Sequence, residues 1–144
     1  MPKIDLAAVP KDNSSRYLPP YHEPMGKRWN QRLAPAAGIT DFGVNLIRVE
    51  PGGISSQRHW HEGEDEFVVI LSGHAVLVDD HGRTPLGPGD CAAFPKGGNG
   101  HQLLNEGTVD CVMVAVGLPM KTPCHYPDID LYNPGDGTGF RRKG

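Results

Sequence analysis

A chain of 144 residues is long enough to bury an apolar core without staples and short enough to be one domain. With 14 Lys and Arg against 17 Asp and Glu, the formal charge of -3 gives no basic surface for nucleic acid or an anionic membrane. Three cysteines without CxxC spacing exclude a disulfide framework, and no run approaches the roughly 18 apolar residues of a membrane span, so a cytoplasmic protein is expected.

The first segment, residues 1–38, carries Pro2, Pro10, Pro19, Pro20, Pro24 and Pro35 and sustains no helical or strand period. Tyr17, Leu18, Tyr21, Met25, Trp29 and Leu33 nevertheless supply apolar anchors that a linker lacks. The segment reads as an extended arm whose short strand near 27–33 covers a sheet edge, within the chain or across subunits of a homodimer. From 39 to 118 the texture is that of a β domain. Strands are expected at 42–50, 54–61, 65–71, 74–79, 91–94, 101–105 and 109–117, separated by turn chemistry such as Asp80-His81-Gly82 and by the loop 95–100. Seven or eight short strands at this spacing call for an all-β sandwich or barrel. Residues 119–144 form an irregular tail that docks through Ile129 and Leu131 and ends in the solvated basic stretch Arg141-Arg142-Lys143.

The stretch 53–73 concentrates the chemistry. His59 and His61 stand two apart, which on a helix puts them on different faces and on a strand puts them on one face, about 7 Å apart. Gly52-Gly53 before the pair and β-branched residues after it favour the strand. In that register Ser55 and Gln57 share the inward face, while Arg58 and Trp60 face out. Across the turn, Glu66 falls in phase with Val68 and Ile70, and His101 opens a strand directly after the Gly-rich loop. Three neutral imidazoles and one carboxylate suit a single divalent ion, leave it one net positive charge, and keep two positions open on a six-coordinate metal. The absence of thiolates from the set argues against a closed structural zinc site. Gln57 then reads as a hydrogen-bond partner of the metal site or its substrate. Cys91 and Cys111 read as small core residues, Asn105 as a structural turn residue, and His22, His74, His81 and His125 as ordinary surface or structural residues.

These intervals resemble the two motifs of the cupin superfamily. The first is met by Gly53, His59, His61, Glu66 and Gly73 with every interval in place. The second is met by Gly89, Pro95, Gly97, His101 and Asn105, with one extra residue in Gly98-Asn99-Gly100. Only Glu66 keeps the interval to Gly73, so Glu62, Glu64 and Asp65 read as a solvated turn. The resemblance covers 42–117 and implies a jelly-roll β-barrel with His59, His61, Glu66 and His101 as metal ligands inside its mouth. The ion is Mn, Fe, Ni, Co or Zn. It also implies an enzyme acting on a small oxygenated metabolite: a dioxygenase, a decarboxylase or lyase, or a sugar-phosphate isomerase. In the last case a basic residue is wanted near the mouth, and Lys96 is the one the sequence places there. The alternative is a non-catalytic, metal-dependent module that binds or senses a small molecule.

Overall fold

Alternation within each strand sorts the chain onto two faces, and one of those faces carries the site. The structure, a computed structural model, describes residues 2–144. Two 3-10 turns, at Leu6–Ala8 and Glu23–Lys27, precede β1 (Arg28–Arg32), the single helical turn α1 (Leu33–Ala36) and β2 (Gly43–Val49). There follow β3 (Trp60–His61), β4 (Glu66–Ser72), β5 (Ala75–Asp79), β6 (Gly82–Leu86), β7 (Cys91–Phe94), β8 (Gln102–Leu104), β9 (Cys111–Gly117), β10 (Cys124–His125), β11 (Leu131–Asn133) and β12 (Arg141–Arg142). They make a five-stranded sheet in the order β1-β2-β9-β4-β7, a three-stranded sheet β6-β5-β8 and a four-stranded sheet β12-β11-β10-β3. Isolated bridges Ile54↔Leu104 and His59↔His101 join the last two into a second layer. The result is a jelly-roll β-sandwich whose sheets face one another without closing into a continuous ring.

The antiparallel register of β2, β9 and β4 grades the inner face. Val49 and Cys111 lie at one end, then Ile47, Met113 and Ile70, then Asn45, Ala115 and Val68, and at the other end Gly43, Gly117 and Glu66. The deep rows, fully buried except for the partly buried Ile47, pack against Ala75, Leu86 and Leu103 of the opposite layer as one apolar core. The upper rows become small and polar, so the layers part there and leave a mouth.

Gly53 and Gly73, read from the sequence as motif glycines, are required by close approach. A Cβ at Gly53 would lie 2.8 Å from Lys27 Cβ, and one at Gly73, already at φ +73°, would lie 2.2 Å from the Asp110 carbonyl oxygen. The expected strand over 54–61 is mostly irregular, with only Trp60–His61 in regular pairing. Ser55 Oγ accepts from the Leu103 amide and the Gln57 carbonyl turns to the His59 ring, so polar side chains take the place of a regular ladder.

The arm supplies β1, which pairs with β2 of the same chain, from Arg28↔Val49 to Arg32↔Asn45. Gln31 is buried and its side-chain amide donates to the carbonyls of Leu6 and Val9, and Trp29 Nε1 donates to Glu50 at 2.9 Å. The C-terminal segment packs on the jelly roll with Leu131 fully buried and, in doing so, forms β10, β11 and β12. Arg141 and Arg142 have exposed side chains, but their backbones pair with β11. Cys91 is exposed rather than a core residue, because it lies on the outward phase of edge strand β7, whereas Cys111 is fully buried. No helix among the described residues is long and apolar enough to cross a membrane.

Asn105 is a buried structural anchor. Its side-chain amide donates to the Val49 and Val109 carbonyls, and its oxygen accepts from the Gly107 amide. Replacing it with Ala strands two carbonyls and one amide, and a loss of about 2–4 kcal/mol is expected in urea denaturation; an unchanged midpoint would show that those groups find other partners.

Candidate metal centre

The short β3 pairs with β10, and the bridge from His59 to His101 sets the two segments side by side. Trp60, between the histidines, points the other way and stacks on His125, which hydrogen-bonds Glu62 at 2.6 Å. His59 and His61 therefore face inward, where Glu66 enters from the start of β4. Their Nε2 atoms lie 3.3 and 3.1 Å from Glu66 Oε1, and His101 Nε2 lies 3.0 Å from the same oxygen. Phe94, the cross-strand neighbour of Glu66, stacks flat on the His101 ring with centroids 3.6 Å apart and fixes its plane.

The opposite ring nitrogens define the tautomers. His59 Nδ1 lies 2.9 Å from the Gln57 carbonyl and His101 Nδ1 lies 3.1 Å from the Asn99 carbonyl. Carbonyl oxygens only accept, so both Nδ1 atoms carry protons and, in the neutral ring, each Nε2 lone pair is aimed at the cluster. His61 Nδ1 is buried without a partner among the described residues. Burial opposes the charge of Glu66, but rings that carry a second proton, on Nε2, donate to it from His101, His59 and His61 and hold the carboxyl far below the usual range. Nitrogen lone pairs and an ionised oxygen this close repel one another unless a cation lies with them. The donor set, three imidazoles and a carboxylate with two rings held from behind by carbonyls, fits a divalent ion.

Beside the cluster opens a cavity of about 600 Å³, within the range of small-molecule sites. Gly43, Ala115 and Gly117 on the inner face present little or no side chain to it, and a Cβ at Gly117 would only touch Glu66 Cγ, at 3.7 Å. Arg32, Asn45, His61, Glu64 and Glu66 give it polar groups, and Ile39, Phe42 and Leu118 give it apolar walls.

Two residues singled out in the sequence are placed otherwise. The Gln57 side chain turns away from the cluster and donates to the Tyr21 carbonyl at 3.0 Å, while its backbone amide donates to the Tyr17 hydroxyl. It serves the cluster only through its carbonyl behind His59. Lys96 is exposed outside the cavity, its loop tied down by a bond from the Lys96 amide to Asp65. The cation on the cavity wall is Arg32, from the arm. Glu64, expected in a solvated turn, is buried and accepts from the amides of Lys121 and Thr122 at 2.5 and 3.0 Å and from the Thr122 hydroxyl. Cys124, cross-strand partner of His61, places its sulfur within 4.8 Å of ring nitrogens of His59 and His61. Burial pushes that thiol up to about 12, so it stands protonated at neutral pH. Tyr126 packs its ring on His59, and Tyr17 meets Tyr126 edge-on, with burial pushing the Tyr17 hydroxyl up to about 12. None of these pairings has a local signal, because each joins segments far apart in the chain.

Burial opposes the charge of Glu64 too, but the Thr122 hydroxyl and the two amides lower its pKa below the unfolded value of 4.5. A carboxyl depressed on folding adds stability that is whole above 4.5 and drains as the pH falls through the folded value. Glu64→Gln is expected to cost about 1–2 kcal/mol at neutral pH and to flatten the acid side of the stability curve in urea titrations. An acid limb as steep as that of the wild type would remove Glu64 from the account.

Comparison with known proteins agrees with this architecture. Residues 45–117 match the Cupin_2 family, described as a cupin domain. A crystal structure described as a sugar phosphate isomerase from a cupin superfamily, from Silicibacter pomeroyi, is 43% identical. The superposition covers 99% of this chain and 93% of that chain at a TM-score of 0.94. A putative sugar phosphate isomerase from Acidithiobacillus ferrooxidans is 31% identical over 81% of this chain and 76% of that chain, with a TM-score of 0.73. The oxalate-binding protein of Thermotoga maritima is 38% identical over 66 residues, which span 46% of this chain and only 54% of that relative. With more than half of its length matched by the family and almost all of it superimposed on a 43% identical structure, the chain belongs to the cupin superfamily.

Proposed function

We propose that His59, His61, Glu66 and His101 hold one divalent metal ion and that the protein is a metal-dependent enzyme acting on a small oxygenated metabolite in the adjoining cavity. The observation that carries this reading is the convergence of three Nε2 atoms on one oxygen of Glu66, within 3.0 to 3.3 Å. The bound ion would supply Lewis-acid polarisation of substrate oxygens. The chain's own residues do the rest. The carbonyls of Gln57 and Asn99 keep two rings in the ligating tautomer, Phe94 fixes the His101 plane, and Phe42 and Leu118 shed water from the substrate side. Among the named outcomes, sugar-phosphate isomerisation is favoured by the two relatives of 43% and 31% identity described in those words. Decarboxylase, lyase or dioxygenase chemistry would use the same ligands.

A second reading, a non-catalytic module that binds a small oxyanion, is favoured by Glu64. Its oxygens are occupied by Thr122 and Lys121, so this cavity carboxylate is not free to move a proton. The relative described as an oxalate-binding protein points the same way. Turnover of a panel of aldose phosphates, against binding without turnover, separates the two.

Elemental analysis of protein purified without added metal is expected to find close to one Mn, Fe, Ni, Co or Zn per chain. His61→Ala is expected to weaken retention by more than the roughly 10–100-fold that loss of a supporting partner costs, while circular dichroism stays that of the folded chain, because the core lies below the mouth. Undiminished metal in the variant would defeat the ligand assignment.

The arm covers a sheet edge within its own chain, the first of the two expected pairings, and leaves another surface for the homodimer. The outer face of the five-stranded sheet is apolar across three strands, with Leu46, Val114 and Val69 in one row and Val44, Val116 and Phe67 in the next. Phe67 and Leu71 are exposed, 41% and 52%, and a sheet face of this kind fits a second copy of itself about a two-fold axis. Light scattering should find a dimer for the wild type and a folded monomer for Val114→Glu; a wild-type monomer ends the idea.

A further inference from the structure

We propose that Arg32 is a specificity-determining residue, forming an oxyanion subsite at the end of the cavity remote from the metal cluster. The inference rests on the metal-centre reading above and names the substrate class for that site: a compact molecule with ligating oxygens at one end and a phosphate or carboxylate at the other. Most of the chain's arginines are committed. Arg28 donates to the carbonyls of Ser55 and Ser14, Arg48 pairs with Asp110, Arg58 with Asp80 and Asp128, and Arg83 with Glu106. Arg32 borders the cavity as well as the clefts beside Asn30 and beside Ser14 and Phe140, and its guanidinium has no hydrogen-bond or ion-pair partner among the described residues. It is placed there by register. Arg32 faces Asn45 across the β1–β2 ladder, and Asn45 faces Ala115 across β2–β9, all on the inner side of the sheet.

Spacing and charge agree. Arg32 and Glu66 stand on strands separated by β2 and β9, three steps or about 14 Å between backbones. Side chains that reach in from both ends would narrow that gap to the length of a small metabolite. Two carboxylates, Glu64 and Glu66, against a divalent ion and Arg32 leave the loaded cavity one positive charge. A neutral sugar would leave that charge and the guanidinium uncompensated, whereas an oxyanion meets both, and a guanidinium offers a planar pair of donors to it. The Asn45 amide and Thr40 hydroxyl on the same wall can add further donors.

The test uses the full chain loaded with Mn(II), its metal content measured in the same samples, and calorimetric titration of two matched pairs: glycerol phosphate against glycerol, and glutarate against butyrate. At least one doubly functional anion is expected to bind the wild type about 10- to 100-fold more tightly than Arg32→Gln, with glycerol and butyrate indifferent to the change. The preferred pair tells phosphate from carboxylate, and Arg32→Lys should keep more of the phosphate affinity than of the carboxylate affinity. Arg32 is exposed at the start of the turn into α1, and circular dichroism should show both variants folded. Equal affinity in Arg32→Gln at full metal content, or no binding of either anion to the loaded wild type, overturns the subsite and leaves the metal reading standing. A wild type that takes up no metal overturns that reading, and the subsite falls with it.

Discussion

One carboxylate oxygen with three imidazole nitrogens around it is the constraint to which the rest of the structure answers. Without a cation the arrangement is repulsive wherever the rings are neutral, since lone pairs and an ionised oxygen meet within 3.3 Å. Something must hold these groups together, and it is the packing around them. Phe94 stacks on His101, Tyr126 on His59, and carbonyls stand behind two of the rings. The cost of that convergence is met by the apolar rows beneath, Ile70, Met113 and Val49, which are buried whether or not the cluster is neutralised. A cluster held by its surroundings rather than by its own attraction is preorganised for a cation.

The same sheet divides these tasks along its length. Moving from Val49 towards Gly43 on β2, and from Cys111 towards Gly117 on β9, side chains shrink from core-filling to absent while the partner strand brings in Glu66. Small residues at the mouth make the cavity, and large ones below make the fold, so the chemistry and the core use different rows of the same strands. A substitution in the upper rows is thus felt mainly in binding and one in the lower rows mainly in stability.

How much of this can be read from the chain alone follows from the range of each interaction. His59, His61 and Glu66 lie within eight residues of one another, on or next to β3 and at the start of β4 across the turn between them, and Gly53 and Gly73 sit where an added Cβ would come within 3 Å of neighbouring atoms. The β1 strand is also local, announced by the texture of 27–33. The regular strand assumed for 54–61 gives way to bends, which turns the Gln57 side chain to the arm. Lys96 sits on a loop, where no period sets a side chain's direction, and it is exposed. Glu64 looked like one more acid in a polar turn, and only the return of the chain at Lys121 and Thr122 buries it. Cys124 comes beside the imidazoles from 63 residues beyond His61 through the β3–β10 pairing, for which the sequence carries no signal.

The parts that escaped the sequence are not scattered at random. The residues that match the family, 45–117, contain the whole imidazole–carboxylate cluster, yet more than half of the cavity lining lies outside them, from Arg32 to Gly43 before and at Leu118 and Pro119 after. Arm and tail also meet each other: Arg142 donates to the Pro19 carbonyl, and Tyr17 packs against Tyr126 and Phe140. The common jelly roll therefore supplies the imidazole–carboxylate cluster, while the flanking segments supply most of the cavity wall beside it. A family assignment resting on the motif residues constrains the first and is silent on the second. In this chain the cavity takes Arg32 and the apolar Ile39, Phe42 and Leu118 from outside residues 45–117, and Glu64, inside them, is buried only where the chain returns at Lys121 and Thr122.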